Sequence, residues 1–192
     1  MNQIVIQIDV DGVLADFTSA FLHTAEIYYP GCSIDPPPQH DWSVIGAVDL
    51  WDRRVWQSIV DTPNWWCSLK PLVSLDIFHR IAALASLVPV YFVTNRWHNR
   101  TPANLQTTWW LREYEVPNAS VICSREKGQT AYLLHTTHSI EDRLANAIDI
   151  RDNVLPSSKS YLINRLHNRG PYCPELRLDT VAQFLDVVEK GL

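Results

Sequence analysis

Ile4-Val5-Ile6-Gln7-Ile8-Asp9-Val10-Asp11-Gly12-Val13 is the stretch whose reading decides the fold. The apolar run from Ile4 to Ile8 reads as a buried strand. Asp9 and Asp11 follow at its C-terminal end. In open α/β sheets that edge is where ligands bind. Two carboxylates so close repel one another unless a cation or a shared proton relieves them. The pair therefore points to a Mg²⁺ site with a carboxylate left over for chemistry.

Downstream, strand-like runs alternate with helical patterns. Val90 to Thr94, Ala119 to Cys123, Thr137 to Ile140 and Ser160 to Ile163 read as strands. Between them, Ser74 can cap a helix from Leu75 to Leu87, with Leu75, Phe78, Ile81, Ala82 and Ala85 on one face. Thr101-Pro102 starts a second helix, which runs to about Glu115 and stops before Pro117. Shorter helices are expected over 129–135 and 143–152, and Asp179 or Thr180 can cap a C-terminal one. That alternation predicts an α/β, Rossmann-like parallel sheet flanked by helices. Residues 18–73 break the pattern: they carry Pro36-Pro37-Pro38 and many aromatics, with helices expected near 17–29 and 48–60. They read as a small, mostly helical cap inserted after the first strand, with 1–17 and 74–192 forming the core.

Composition narrows the function classes. The chain has 192 residues, 46% hydrophobic and 19% charged, as a packed globular protein requires. Its formal net charge of −5 argues against a broad surface for duplex nucleic acid, which needs a basic face. Cys32, Cys67, Cys123 and Cys173 form no CxxC pair, so reduced thiols in a cytoplasmic protein are expected. Neither a signal peptide nor a membrane span is readable. Eight tryptophans is an excess, and five of them (Trp42, Trp51, Trp56, Trp65, Trp66) lie in one quarter of the chain. Core packing accounts for part of that excess, and a platform for a flat ligand for the rest. Trp109 and Trp110 are assigned to packing. His135 and His138 read as surface or satisfied core groups, and His167 lies after the last strand, on the expected active edge.

The whole pattern resembles the haloacid dehalogenase-like (HAD) phosphatase superfamily. Asp9-Val10-Asp11-Gly12-Val13 matches its first motif, Thr94 the second, Lys127 the third, and Glu141-Asp142 the acidic fourth. Taken singly these are ordinary: a turn-capping pair, a strand-end threonine, a surface lysine that neighbouring Arg125 could replace, and charges at a helix start. Their order and spacing carry the resemblance. It implies Asp9 as nucleophile, forming an aspartyl-phosphate, and Asp11 as acid and then base. It implies Thr94 on a phosphate oxygen, assisted by backbone N–H groups near Asn95, and Lys127 offsetting charge. Mg²⁺ would be held by Asp9, the backbone carbonyl of Asp11, and Asp142, with Glu141 as the alternative to Asp142.

Two further segments are similar to the 5'(3')-deoxyribonucleotidases and their bacterial and phage relatives. One is Leu14-Ala15-Asp16-Phe17; the other is Thr62-Pro63-Asn64-Trp65-Trp66-Cys67-Ser68-Leu69-Lys70-Pro71-Leu72. This resemblance implies that Phe17, Trp65 and Trp66 line a nucleobase pocket, although adjacent tryptophans point in different directions and at most one of the two should face it. Asn64 stands where that family usually has glycine, and Thr94-Asn95-Arg96 where its vertebrate members have Thr-Ser-Pro. Arg96 is open to binding phosphate or a base edge, or to a capping or salt-bridge role.

The expected activity is hydrolysis of nucleoside or deoxynucleoside 5'-monophosphates with Mg²⁺. The partner is a small phosphate ester, with a homodimer left open. A sugar phosphate, a nucleic-acid 3'-phosphate and a catalytically silent nucleotide-binding protein are the rival readings.

Overall fold

The computed structural model describes residues 3–32, 53–96, 101–173 and 176–192. Its centre is a six-stranded sheet in the order β3-β2-β1-β4-β5-β6, parallel throughout. The strands are β1 (Ile6–Ile8), β2 (Val90–Thr94), β3 (Ser120–Cys123), β4 (His138–Glu141), β5 (Lys159–Ile163) and β6 (Arg177–Leu178). The helices are α1 (Phe17–Ala25), α2 (Arg53–Asp61), α3 (Leu75–Ala85), α4 (Ala103–Glu113), α5 (Lys127–Leu133), α6 (Leu144–Asn153) and α7 (Val181–Glu189). This is the α/β, Rossmann-like architecture expected from the alternation. Parallel strands need helical crossovers, and α3 to α6 supply those from β1 to β5. No helix among the described residues is long and apolar enough to cross a membrane.

The strand order sets the site. The chain winds outward from β1 through β2 to β3, then returns to place β4 on the other side of β1. Ile8 lies level with Phe92 on β2 and Ile140 on β4. Where winding reverses, neighbouring connections part and leave a crevice at the carboxyl ends of the strands. The residues that follow Ile8 and Ile140 open into that crevice. They are Asp9 on one side and Glu141 and Asp142 on the other.

Several expectations differ from the structure in detail. On α3 the inward residues are Phe78, Ile81 and Leu84, whereas Leu75 and Ala85 are exposed; the stripe lies slightly round the helix from the expected one. Ser74 makes no side-chain cap. Pro102 occupies the N-cap of α4 and not its first turn, and the helix stops at Glu113. Glu115 then takes a left-handed φ of 64°. Trp110 is buried and its Nε1 donates to Leu69 O at 2.8 Å, but Trp109 is 45% exposed and adds little to the core. Strand β6 was not foreseen, because its two residues are too few to show a period. Arg177 anchors it, donating from Nη2 to the carbonyls of Asn168 and Gly170. The C-terminal cap behaves as expected: Thr180 and Gln183 cap reciprocally, and Val181, Phe184, Leu185 and Val188 face inward.

The expected cap is described in part. Pro36-Pro37-Pro38, Trp42 and Trp51 lie outside the described residues. The chain leaves and returns at one place: Asp16 N donates to Lys70 O at 2.8 Å, and Leu72 N to Leu14 O at 2.7 Å. Asp16 then caps α1 through Ser19 N. At the return, Asn64 has φ 55° and ψ 30°. Asparagine is among the few non-glycine residues that tolerate this region, so it can stand where the resemblance leads one to expect glycine.

Candidate active site

The turn after β1 builds the first half of the site. Gly12 has φ 82°, a region open to glycine at no steric cost. Its N–H bonds Ala15 O, while Leu14 and Ala15 both donate to Val10 O. The tight turn holds Asp9 and Asp11 at the crevice. Asp9 is 4% exposed, and Val10 N donates to its Oδ1 at 2.7 Å.

Lys127 supplies the opposing charge. It is the first residue of α5, and its Nζ lies 2.8 Å from Asp9 Oδ1, 2.9 Å from Glu141 Oε1 and 2.7 Å from Val93 O. Burial works against its charge, but Asp9 and Glu141 outweigh burial and hold the ammonium above its ordinary pKa. Asp9 shows the opposite balance. Burial, then the charge of Glu141, push its carboxyl well above the usual range; Lys127 opposes and Asp142 adds to the rise.

The acidic cluster fits a divalent cation. Asp9, Glu141 and Asp142 each bring a carboxylate oxygen within 4.8 Å of the others, and all three are buried. Three carboxylates crowd one ammonium, and a bound cation would relieve their mutual repulsion. Glu141 is already occupied, by Lys127 and by Asn146 Nδ2 at 3.1 Å. Asp142 is placed by its backbone, whose carbonyl accepts from Asn168 Nδ2 at 2.6 Å and His167 Nε2 at 3.0 Å.

Asp11 is held differently. Its Oδ2 accepts from Thr94 Oγ1 at 3.0 Å and Arg96 Nε at 2.9 Å, and its Oδ1 from Arg96 Nη2 at 2.8 Å. Arg96 is 3% exposed and lies 4.8 Å above the ring of Trp66. It is a buried ion-pair partner of Asp11, the salt-bridge alternative among those the sequence left open.

A cavity of about 420 Å³ opens onto this site. Its chemical wall carries Asp9, Asp11, Thr94, Asn95, Lys127 and Asp142. Its aromatic wall carries Phe17, Trp56 and Trp66. Phe17 stacks on Trp66 at 5.9 Å and 20°, and on Trp56 at 6.0 Å and 23°. Trp65 is not among the described lining residues. It meets Trp66 edge-on at 4.8 Å and bonds Thr24 Oγ1 through Nε1.

Solved structures with this architecture include a protein from Burkholderia xenovorans LB400 assigned to the haloacid dehalogenase-like hydrolases. It is 12% identical, with a TM-score of 0.61 over 100% of both chains. A haloacid dehalogenase-like family protein from Streptococcus pneumoniae matches at 14% identity and a TM-score of 0.59 over 99% of each. A HAD family hydrolase from Deinococcus radiodurans R1, solved with bound phosphate and sodium, matches at 12% identity and 0.58, over 98% of this chain and 96% of that one. The fold is that of the haloacid dehalogenase-like hydrolases. No protein-family model and no curated protein matches the sequence.

Within the HAD-like fold the expected residues Asp9, Asp11, Thr94, Lys127, Glu141 and Asp142 converge on one crevice. Exposed Arg125 does not replace Lys127, which is the buried cation on Asp9. Sequence reading passed over five lining residues: Trp56, Arg143, Leu144, Ala145 and Asn146. Trp56 was visible only as part of the tryptophan excess. Asn146 follows Glu141 by five residues at the start of α6, a spacing that places its amide on that carboxylate.

Proposed function

We propose that the protein is a Mg²⁺-dependent phosphomonoesterase acting on nucleoside or deoxynucleoside 5'-monophosphates, related to the deoxyribonucleotidases. The observation that carries the phosphatase reading is Asp9, fixed at the end of β1 against Lys127, with Asp11 facing the same cavity. The aromatic wall supports the nucleotide reading, since base–aromatic stacking contributes about 1–3 kcal/mol and tolerates different bases. Residues 1–17 and 74–192 form the catalytic core in this reading, and 18–73 the cap that selects the substrate. The place of action is the cytoplasm, for which the four free thiols speak.

The chemistry runs in two balanced transfers. A carboxylate oxygen of Asp9 bonds to phosphorus as the ester P–O bond breaks, and the departing alcohol oxygen takes a proton from Asp11. Water then attacks phosphorus, returns a proton to Asp11 and frees Asp9 together with inorganic phosphate. Lys127 keeps Asp9 oriented and offsets charge on the phosphoryl group. Mg²⁺, when bound by Asp9, Asp142 and the carbonyl of Asp11, would reduce repulsion between nucleophile and phosphate. In this reading the backbone N–H groups near Asn95 meet phosphate oxygens, and Thr94, whose one hydroxyl proton goes to Asp11 Oδ2, joins them only by turning that proton from Asp11 to the phosphate.

A phosphate-release screen across nucleoside monophosphates and sugar phosphates, with and without Mg²⁺, tests the reading. Turnover of nucleotides above sugar phosphates is expected, and Asp9→Asn should abolish it while ligand binding persists. Hydrolysis surviving in a clean Asp9→Asn preparation would remove Asp9 as nucleophile.

A further inference from the structure

We propose that Arg96 is the positioning residue of Asp11, and that together with Thr94 it leaves Oδ1 as the oxygen that carries the proton. This rests on the phosphatase reading above. A carboxylate offers about four acceptor sites, two on each oxygen. Oδ2 receives two hydrogen bonds, from Thr94 Oγ1 and Arg96 Nε, which fill it. Oδ1 receives one, from Arg96 Nη2. Its remaining site is where the proton delivered to the departing alcohol is carried, and where the proton taken from water arrives.

The guanidinium is held at all three nitrogens and on one face. Nη1 donates to Thr107 Oγ1 on α4 at 2.8 Å, and Thr107 Oγ1 in turn donates to Ala103 O at 2.7 Å. One face of the fork lies over Trp66. The Arg96 side chain is fully buried, so its planar fork loses little further freedom in holding Asp11. Lysine, a point charge on a flexible stem, cannot reproduce that geometry. Arg96 thus ties three things together: the general acid, the helix after β2, and the aromatic wall.

A general acid matters most when the leaving group is a poor one. The test is therefore turnover of a series of para-substituted phenyl phosphates, alike in size but graded in leaving-group acidity, from p-nitrophenyl to p-methoxyphenyl. For Arg96→Gln, kcat on the p-methoxyphenyl ester should fall relative to the p-nitrophenyl ester by at least about tenfold more than in the parent protein. That is a modest part of the roughly 10²–10⁴-fold such a proton donor contributes. Arg96→Lys should show the same tilt. Thr107→Val keeps Asp11 and Arg96 but removes one anchor of the fork, so it should tilt the series in the same direction by less. It decides the matter if the Arg96 variants do not fold. An equal loss across the series, or full recovery in Arg96→Lys, would overturn the assignment. Absence of turnover on every ester by the parent protein with Mg²⁺ would overturn the phosphatase reading itself, and this assignment with it.

Discussion

Lys127 and Glu141 form a buried ion pair, Nζ to Oε1 2.9 Å, beneath the carboxylate of Asp9. The side chains are 2% and 0% exposed, so neither charge has water to fall back on. Removing one partner from such a pair typically costs about 3–5 kcal/mol, because the other charge stays buried and uncompensated. Lys127→Met should therefore destabilise the protein by that amount in urea unfolding, apart from its effect on turnover. The double variant Lys127→Met/Glu141→Gln should recover part of the loss. A single variant as stable as the parent protein would show that the ammonium is not needed to hold the cluster together.

Glu141 and Asp142 separate by what already holds them. Glu141 is engaged by Lys127 and Asn146, while Asp142 accepts at its backbone carbonyl from Asn168 and meets His167 Nε2 through Oδ2 at 3.3 Å. Groups that orient a metal ligand typically change metal affinity by roughly 10–100-fold when removed. Glu141→Gln should fall in that range in calorimetric Mg²⁺ titration, and Asp142→Asn should weaken binding further. The reverse order would make Glu141 the direct ligand.

Gly128 follows Lys127 where α5 meets α6. A Cβ there would fall 2.5 Å from Asp149 O and 2.7 Å from Asn153 Nδ2. The glycine N–H also donates to Asp149 Oδ2 at 2.6 Å, a carboxylate set against the helix N-terminus. Gly128→Ala must push the helices apart, which for an overpacked site costs about 1–3 kcal/mol. Because Lys127 is the preceding residue, kcat should fall along with the unfolding midpoint. Normal stability and kcat in Gly128→Ala would mean that α5 can shift without disturbing Lys127.

The parallel sheet and the strand edge that carries the candidate site were legible because both rest on local patterns. Ile4 to Ile8 is an apolar run, and Asp9 and Asp11 follow it directly. Thr94 ends a β-branched and aromatic run, and Glu141 closes β4. What the sequence hid depends on long-range geometry. Arg96 meets Asp11 across a separation of 85 residues, and no local pattern distinguishes it from a phosphate-binding arginine. Trp56 reaches the cavity because α2 packs on α1, a contact between segments that periodicity does not relate. Trp65 and Trp66 are adjacent and equally aromatic. Only the turn after left-handed Asn64 decides that Trp66 faces the cavity.

The spacing of the aromatic rings limits how a base can bind. Phe17 lies 5.9 Å from Trp66 and 6.0 Å from Trp56, close to parallel with each. Carbon atoms in contact prefer about 3.5–4.0 Å, so a ring slid between two others needs roughly 7 Å. In the proposed reading a nucleobase would therefore lie against this wall and not between its rings. Trp66 also supports Arg96, so its removal would disturb Asp11 as well. Trp56→Ala is the cleaner probe, because Trp56 packs on Phe17 and Phe21 whereas Trp66 carries the guanidinium of Arg96. Losing one stacking partner, about 1–3 kcal/mol, corresponds to roughly a 5–150-fold rise in KM for a nucleoside monophosphate. KM for glycerol phosphate, which has no ring to stack, should move far less. Parallel losses on both substrates would make the wall a packing feature and leave base recognition to other residues.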